Sequence, residues 1–290
     1  MLINVIGSGN VASHLVPALV MAGHQIGVIV SQHLAHAQAL ADRLEAVAAV
    51  KTTEPKQNKL SCSSPKPNPI LLPTPTDMPM ADATIIMVPD AQIANVVASV
   101  PTARCGVLIH TSGATDIAVL SPAPQSAVLY PCQTFSQGTQ LDVSLCPFMV
   151  EGSSVEALQL VTSLAQSITQ SPTQVSPCNS EQRAQLHLAA VFASNFVNHA
   201  LLHAQDVMEA AHLPFEALKP LVMQTIQKAF EVGPLGAQTG PAARGDLNTL
   251  ARHEAILNSL DFREKEFKKR IYHLMSDSIG QTYHHNHHNE

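Results

Sequence analysis

The 290-residue chain carries a formal charge of −6, with 46% apolar and only 13% charged residues. This composition supplies a sizeable core, excludes global disorder, and argues against a nucleic-acid binder held by phosphate contacts. At this length one large domain or two ordinary ones are expected.

No apolar run reaches the roughly 18–20 residues of a membrane span. The richest, Leu186 to Leu202, is interrupted by His187, Asn195, Asn198 and His199. The opening MLINVIGSG has neither a basic segment nor a cleavage site, so no signal peptide is read there. Five scattered cysteines (Cys62, Cys105, Cys132, Cys146, Cys178) form no CxxC. They predict reduced thiols, no metal site and a cytoplasmic chain.

In chain order, Leu2–Ile6 reads as a strand, Gly7–Asn10 as a turn and Val11–Ala22 as a helix ending at Gly23, with Pro17 expected to bend it. Ile26–Val30 is a second strand and His33–Ala49 a second helix. Residues 51–79 hold seven prolines with Lys, Ser and Asn, and read as a mobile surface insertion. The rhythm resumes with strands at Ala83–Val88, Gly106–His110, Val128–Tyr130 and Phe148–Val150. Helices are expected at Ala91–Ser99 and Val155–Ile168. From Ser180, a plausible N-cap, the strands stop. Ser180–Ala211, Pro214–Val232, Asp246–Leu257 and Asp261–Ser276 are helical by period. The expected division is an α/β domain over residues 1–177 with a mostly parallel, doubly wound sheet, an all-α domain over 178–280 and a disordered His/Asn tail over 281–290. In that tail His284, His285, His287 and His288 are potential chelators, but no scaffold fixes their geometry.

Gly7-Ser8-Gly9-Asn10-Val11-Ala12 sits between the first strand and the first helix, the context that gives a GxGxxA pattern its meaning. Gly7 permits the turn, Gly9 lets the backbone approach a pyrophosphate, and the helix N-terminus supplies N–H groups for the anion. At the end of the second strand stand Ser31, Gln32 and His33, and the first acidic residue is Asp42. An NAD site usually presents a carboxylate at this point, so its absence favours NADP, with NAD still open. Ser31 is the candidate for the 2′-phosphate, with His33 or Arg43 nearby.

Val88-Pro89-Asp90 and Thr111-Ser112-Gly113 follow later strands, where open α/β sheets bind ligands. They are candidates for the nicotinamide half. The polar segment Tyr130–Ser136 is a further candidate for the same cleft. On an ideal helix His187 and Asn198 fall within about 20° of each other and Asn195 about 80° away, amid Leu, Ala and Phe. Such polar groups need partners from protein or ligand. The loop Gln238–Thr249 concentrates directional groups. In it Arg244 is a candidate anion contact and Asp246 a helix cap.

Together GSGNVASHL, VPDAQI, HTSG, LYPCQTFS, EQRAQLHLAAVFASNFVNH and QTGPAARGD resemble a bacterial family that joins a Rossmann-like domain to the domain of unknown function numbered 2520. The resemblance runs from Met1 to about Ile279, outside the Pro-rich insertion and the tail. It implies kinship with pyrroline-5-carboxylate reductases and 6-phosphogluconate-dehydrogenase-type enzymes. It also implies a helical domain that dimerises and an active cleft between the domains. Gly7, Gly9, Asn10 and Val11 match the dinucleotide loop. Ser31 matches a serine often followed by arginine, here replaced by Gln32. No lysine stands on the first long helix of the second domain, so a lysine-based mechanism does not transfer.

The function expected is an NAD(P)-dependent oxidoreductase acting on a small polar metabolite. His187 would give or take the proton, Asn195 and Asn198 would orient the substrate, and Arg244 would hold an anionic group on it. The competing reading is a dinucleotide-binding scaffold without turnover. Expected partners are the small-molecule substrate and a second copy of the chain, with neither nucleic acid nor membrane.

Overall fold

The computed structural model describes residues 1–53, 69–260 and 264–286. The chain divides into two compact units, Met1–Phe192 and Ala193–Glu290.

In the first unit β1 (Leu2–Ile6), α1 (Asn10–Met21), β2 (Gln25–Val30), α2 (Leu34–Thr53), β3 (Ile70–Leu72), β4 (Ala83–Ile86), α3 (Asp90–Ser99), β5 (Val107–His110) and β6 (Ser126–Pro131) follow one another. They are succeeded by β7 (Phe148–Gly152), α4 (Val155–Ile168), β8 (Val175–Pro177) and α5 (Ser180–Ala190). The eight strands form one sheet in the order β3-β2-β1-β4-β5-β6-β7-β8. Every pairing is parallel except β6 with β7.

β4 and β5 are buried at every position, so they read as continuous apolar runs rather than alternating ones. Successive residues point to opposite faces and fill two separate cores. Ile85 and Ile109 pack with Leu15, Leu19 and Val161 on one side. Ile86 and Leu108 pack with Ile93 and Val97 on the other. The strand order reverses at β1, flanked by β2 and β4, which is where a doubly wound sheet opens a ligand crevice.

Several local expectations are corrected. The Pro-rich stretch is ordered at its end: Ile70–Leu72 pair with Val28–Val30 as the edge strand β3. Met78 is fully buried in the second core. Pro69 and Pro73 flank this strand instead of interrupting it, as an edge strand permits. The mobility expected of residues 54–68 falls outside the described residues. β8 was not foreseen because three residues are too few to show a period. Asn179, not Ser180, caps α5: its side chain accepts from the Gln182 N–H and completes a capping box.

The second unit begins in a π-helical turn, Val191–Phe196, that follows α5 and leads into α6 (Val197–Ala210). This turn breaks the uniform 100° spacing assumed for His187, Asn195 and Asn198. α7 (Lys219–Ala237), α8 (Pro241–Arg244), α9 (Leu247–Ser259) and α10 (Lys265–Asn286) complete it. α7 leaves helical geometry at Gly233, φ 80°, just ahead of Pro234. α10 continues into the segment expected to be disordered, since no breaker follows Gly280 and the Tyr283 hydroxyl donates to the Leu235 carbonyl. The His284 and His285 side chains and residues 287–290 lie outside the described residues. Among the described residues of this unit only Ala242 and Lys268 are buried, while Phe230 is 90% exposed.

Candidate functional site

The loop after β1 is pressed between two neighbouring strand ends. The Gly7 N–H donates to the Val30 carbonyl at 2.8 Å. Its φ is +111°, and a Cβ there would strike the Met87 backbone and lie 3.3 Å from Val88 Cγ1. Only glycine fits. Gly9 is different. Its backbone is extended (φ −82°, ψ −159°), which any residue adopts, and a Cβ would meet nothing within 4 Å. Neither conformation nor protein packing requires this glycine. The N-terminus of α1 has no side-chain cap and no acidic residue in its first turn, so no side chain of its own neutralises its first N–H groups.

In front of this loop lies a cavity of about 610 Å3, a volume typical of small-molecule and cofactor sites. Gly7, Ser8 and Gly9 form one wall, and Val88 and Pro89 after β4 another. Asn10 and Val11 open α1 directly after Gly9. Ser31 and His33 from the end of β2, His36 from α2, and residues 73–76 after β3 close the far end. The Ser31 hydroxyl lies 2.8 Å from that of Ser8, donates to the His33 carbonyl and accepts the His33 N–H. Arg43 is not in this lining. It borders a separate cavity of about 790 Å3 with His14 and Asp142, which contains none of the fingerprint residues.

Asp90, Thr111 and Ser112 do not line the cavity in front of the glycine loop either. Asp90 starts α3. The Thr111 hydroxyl reaches the Ile86 carbonyl at 3.5 Å. The Ser112 hydroxyl accepts the Ala114 and Thr115 N–H groups, and its own N–H donates to His110 Nδ1 at 3.1 Å. His110 is fully buried, and burial, with the nearby Arg183 charge, lowers its pKa to about 4. It is a neutral, structural imidazole.

The sequence singled out His187, and the structure gives it a partner. Its Nδ1 lies 3.2 Å from the Tyr130 hydroxyl, with the rings edge-on. Tyr130 is 8% exposed. Its pKa is pushed up to about 12, chiefly by burial and then by Cys132 and Asp90. Gly113 makes the approach possible: a Cβ there would fall 2.8 Å from both His187 Nδ1 and Tyr130 Cζ.

What aims His187 is a residue that sequence reasoning missed. Arg183, 1% exposed, forms an ion pair with Glu151 of β7 and donates to the Thr115 carbonyl at 2.6 Å and to Ser180 Oγ at 3.0 Å. Ser180 in turn donates to Glu151 through both its N–H and its hydroxyl. This network ties the first turn of α5 to the sheet and to the loop after β5. His187, four residues on, shares that helix face and is delivered to Tyr130. The signal in the sequence was a lone acidic residue in an apolar strand and a lone arginine in the capped first turn.

The remaining candidates belong to the second unit. Asn195 in the π-helical turn, Asn198 on α6 and Arg244 on α8 are all exposed. The helix carrying the amides has no buried residue, against the expectation of buried polar groups on an apolar face. Asp246 caps α9 as expected, accepting from the Thr249 N–H and hydroxyl, and these bonds hold its carboxyl below the ordinary range. Among the described residues no helix is long and apolar enough to cross a membrane.

Residues 2–109 match the family described as NADP oxidoreductase, coenzyme F420-dependent, and residues 146–279 match DUF2520, a domain of unknown function. No curated protein matches the sequence. A crystal structure named “putative NADP oxidoreductase” from Bacteroides fragilis is similar over 97% of this chain and 98% of that one, with TM-score 0.78 and 29% identity. Protein TM1727 from Thermotoga maritima is similar over 97% and 99%, with TM-score 0.70 and 19% identity. An imine reductase from Streptomyces aurantiacus shares the fold over 97% and 96%, with TM-score 0.59 and 14% identity. The chain thus joins a region similar to an NADP-oxidoreductase domain to a region similar to DUF2520.

Proposed function

We propose that the chain is an NADP-dependent oxidoreductase acting on a small polar metabolite. The observation that carries this reading is Gly9: a glycine free of conformational and packing demands, at the uncapped start of α1, beside a cofactor-sized cavity. Room for a pyrophosphate is the remaining reason for its lack of a side chain. Gly7 to Val11 would hold the phosphates, Ser31 and His33 the adenosine ribose, and Val88 and Pro89 the path towards the nicotinamide. Bound NADP(H) supplies the hydride.

The chain's own residues handle the proton. Tyr130 stays a neutral phenol throughout the working pH range, so its oxygen can accept the His187 Nδ1–H, an arrangement that leaves the Nε2 lone pair free to exchange a proton. His187 Nε2 is then the atom that gives or takes the substrate proton. Asn195, Asn198 and Arg244, exposed on the second unit, are the proposed polar contacts of that unit for a substrate. A unit with two buried residues and a row of exposed apolar ones needs a covering surface, and a second copy in a symmetric dimer supplies it.

The test is an NADPH titration of the full chain by cofactor fluorescence, followed by absorbance assays against pooled carbonyl and imine metabolites. Saturable NADPH binding with turnover on at least one pool is expected. Absence of binding would overturn the reading.

A further inference from the structure

The turn that follows β5 is held at both ends by side chains, and its apex lies against the Tyr130–His187 pair. At the far end the Thr115 carbonyl accepts from Arg183 at 2.6 Å and the Ile117 N–H donates to Ser180 Oγ at 3.0 Å, which fixes this end to α5. Within the turn the Ser112 hydroxyl accepts the Ala114 and Thr115 N–H groups and donates to Thr115 Oγ1 at 2.9 Å. At the near end the Ser112 N–H donates to His110 Nδ1 at 3.1 Å. The buried Gly113 forms the apex, where a Cβ would fall 2.8 Å from both His187 Nδ1 and Tyr130 Cζ. A shift of the turn towards the pair would push the two rings apart, and a shift away would leave them without a support.

His110 is fully buried and outside the cavity lining, so it acts on the site through this turn. The Ser112 bond occupies the Nδ1 lone pair and puts the ring proton on Nε2. That atom is buried without a hydrogen-bond partner among the described residues; the Asp116 backbone favours a proton there but does not reach hydrogen-bond geometry. An unpaired buried donor is unfavourable, and an apolar side chain would avoid it. The imidazole is therefore explained by what Nδ1 does. A side chain that accepts the N–H two residues on is the device by which asparagine builds turns, and histidine Nδ1 stands where asparagine Oδ1 would. Resting on the reading that Tyr130 and His187 handle the substrate proton, we propose that His110 is the positioning residue of that pair: its Nδ1 fixes the turn over residues 111–115, and the turn seats Gly113 against both rings at the separation their hydrogen bond needs. Arg183 sets where α5 delivers His187, and His110 sets the spacer between His187 and Tyr130.

The experiment compares His110→Asn with His110→Leu, two side chains of nearly the same shape that differ in the acceptor. The full chain is labelled with heavy-nitrogen histidine and read by NMR, the His187 ring resonances being assigned by their loss in His187→Asn. Both variants lose the packing of the ring, so a merely structural role lowers Tm in the two alike and leaves His187 unmoved. The positioning role instead keeps the His187 resonances in His110→Asn and moves them in His110→Leu. Turnover on the metabolite pool that responds should fall about a hundredfold in His110→Leu, the scale of a misplacement of about 1 Å, and less than about threefold in His110→Asn. The NADPH dissociation constant should stay unchanged in both. His187 resonances that stay in place in His110→Leu, or that move equally in the two variants, overturn the proposal. If His110→Leu does not fold, Gly113→Ala decides: it should move the His187 resonances, and an unmoved His187 overturns the spacer. Absence of turnover in the parent chain overturns the proton-handling reading instead, while the resonances still decide the positioning role.

Discussion

The two units solve the problem of burial in opposite ways. The first encloses two apolar cores between sheet and helices. The second, of similar helical quality, buries only Ala242 and Lys268 among its described residues. Helix propensity and capping can be satisfied within one chain, but burial of an amphipathic face requires a surface to bury it against. The first unit supplies that surface from within, whereas the second leaves most of its apolar side chains exposed among its described residues.

This contrast can be broken most severely at Phe230, the most exposed large apolar side chain among the described residues of the second unit. Phe230→Asp removes one apolar anchor from each copy, about 2–4 kcal/mol per copy. If the proposed dimer forms, light scattering should show a dimer for the parent chain and a monomer for the variant. A parent chain that is already monomeric would refute the partner surface.

Within the first unit the largest loss is expected at Arg183. Arg183→Met leaves the partly buried Glu151 with Ser180 as its remaining partner and should cost about 2–4 kcal/mol. It should also loosen the helix that delivers His187, so turnover falls with Tm. A variant with unchanged Tm would show that the network is idle.

Next comes pH. The folded chain keeps His110 neutral down to about pH 4, whereas in the unfolded chain it protonates near its ordinary value of 6.5. Its contribution is fully present above pH 6.5 and is lost as the pH falls towards 4, by roughly 3 kcal/mol in total. Denaturant midpoints across this window should decline in the parent chain and decline less in His110→Asn. Gly113→Ala is milder, about 1–3 kcal/mol from overpacking, but it should separate Tyr130 from His187 and lower kcat more than cofactor affinity.

The first unit was largely legible because buried parallel strands appear as apolar runs followed by glycine turns, as in LINVI before Gly7. The second core could be inferred from nothing more than the same rhythm. Ile70–Leu72 was hidden because its flanking prolines resemble those of a loop. The glycine loop stands between strand and helix as its spacing predicts, but only geometry separates Gly7, excluded from change by the Met87 backbone, from Gly9, left free by the protein. The pairing of His187 with Tyr130 joins residues 57 apart and depends on an ion pair between positions 151 and 183. No local period records such a contact. Asn195 and Asn198 are exposed, against the expected apolar surroundings, because the neighbouring Phe192, Phe196 and Val197 are exposed as well.

The central claim, that the start of α1 is a pyrophosphate cradle, is tested most directly by Gly9→Val. The added side chain enters space the protein leaves empty, at a backbone conformation valine accepts. NADPH affinity should therefore collapse by at least about a hundredfold, the equivalent of roughly 2.7 kcal/mol, with Tm and circular dichroism unchanged. Undiminished NADPH binding by this variant would contradict the account.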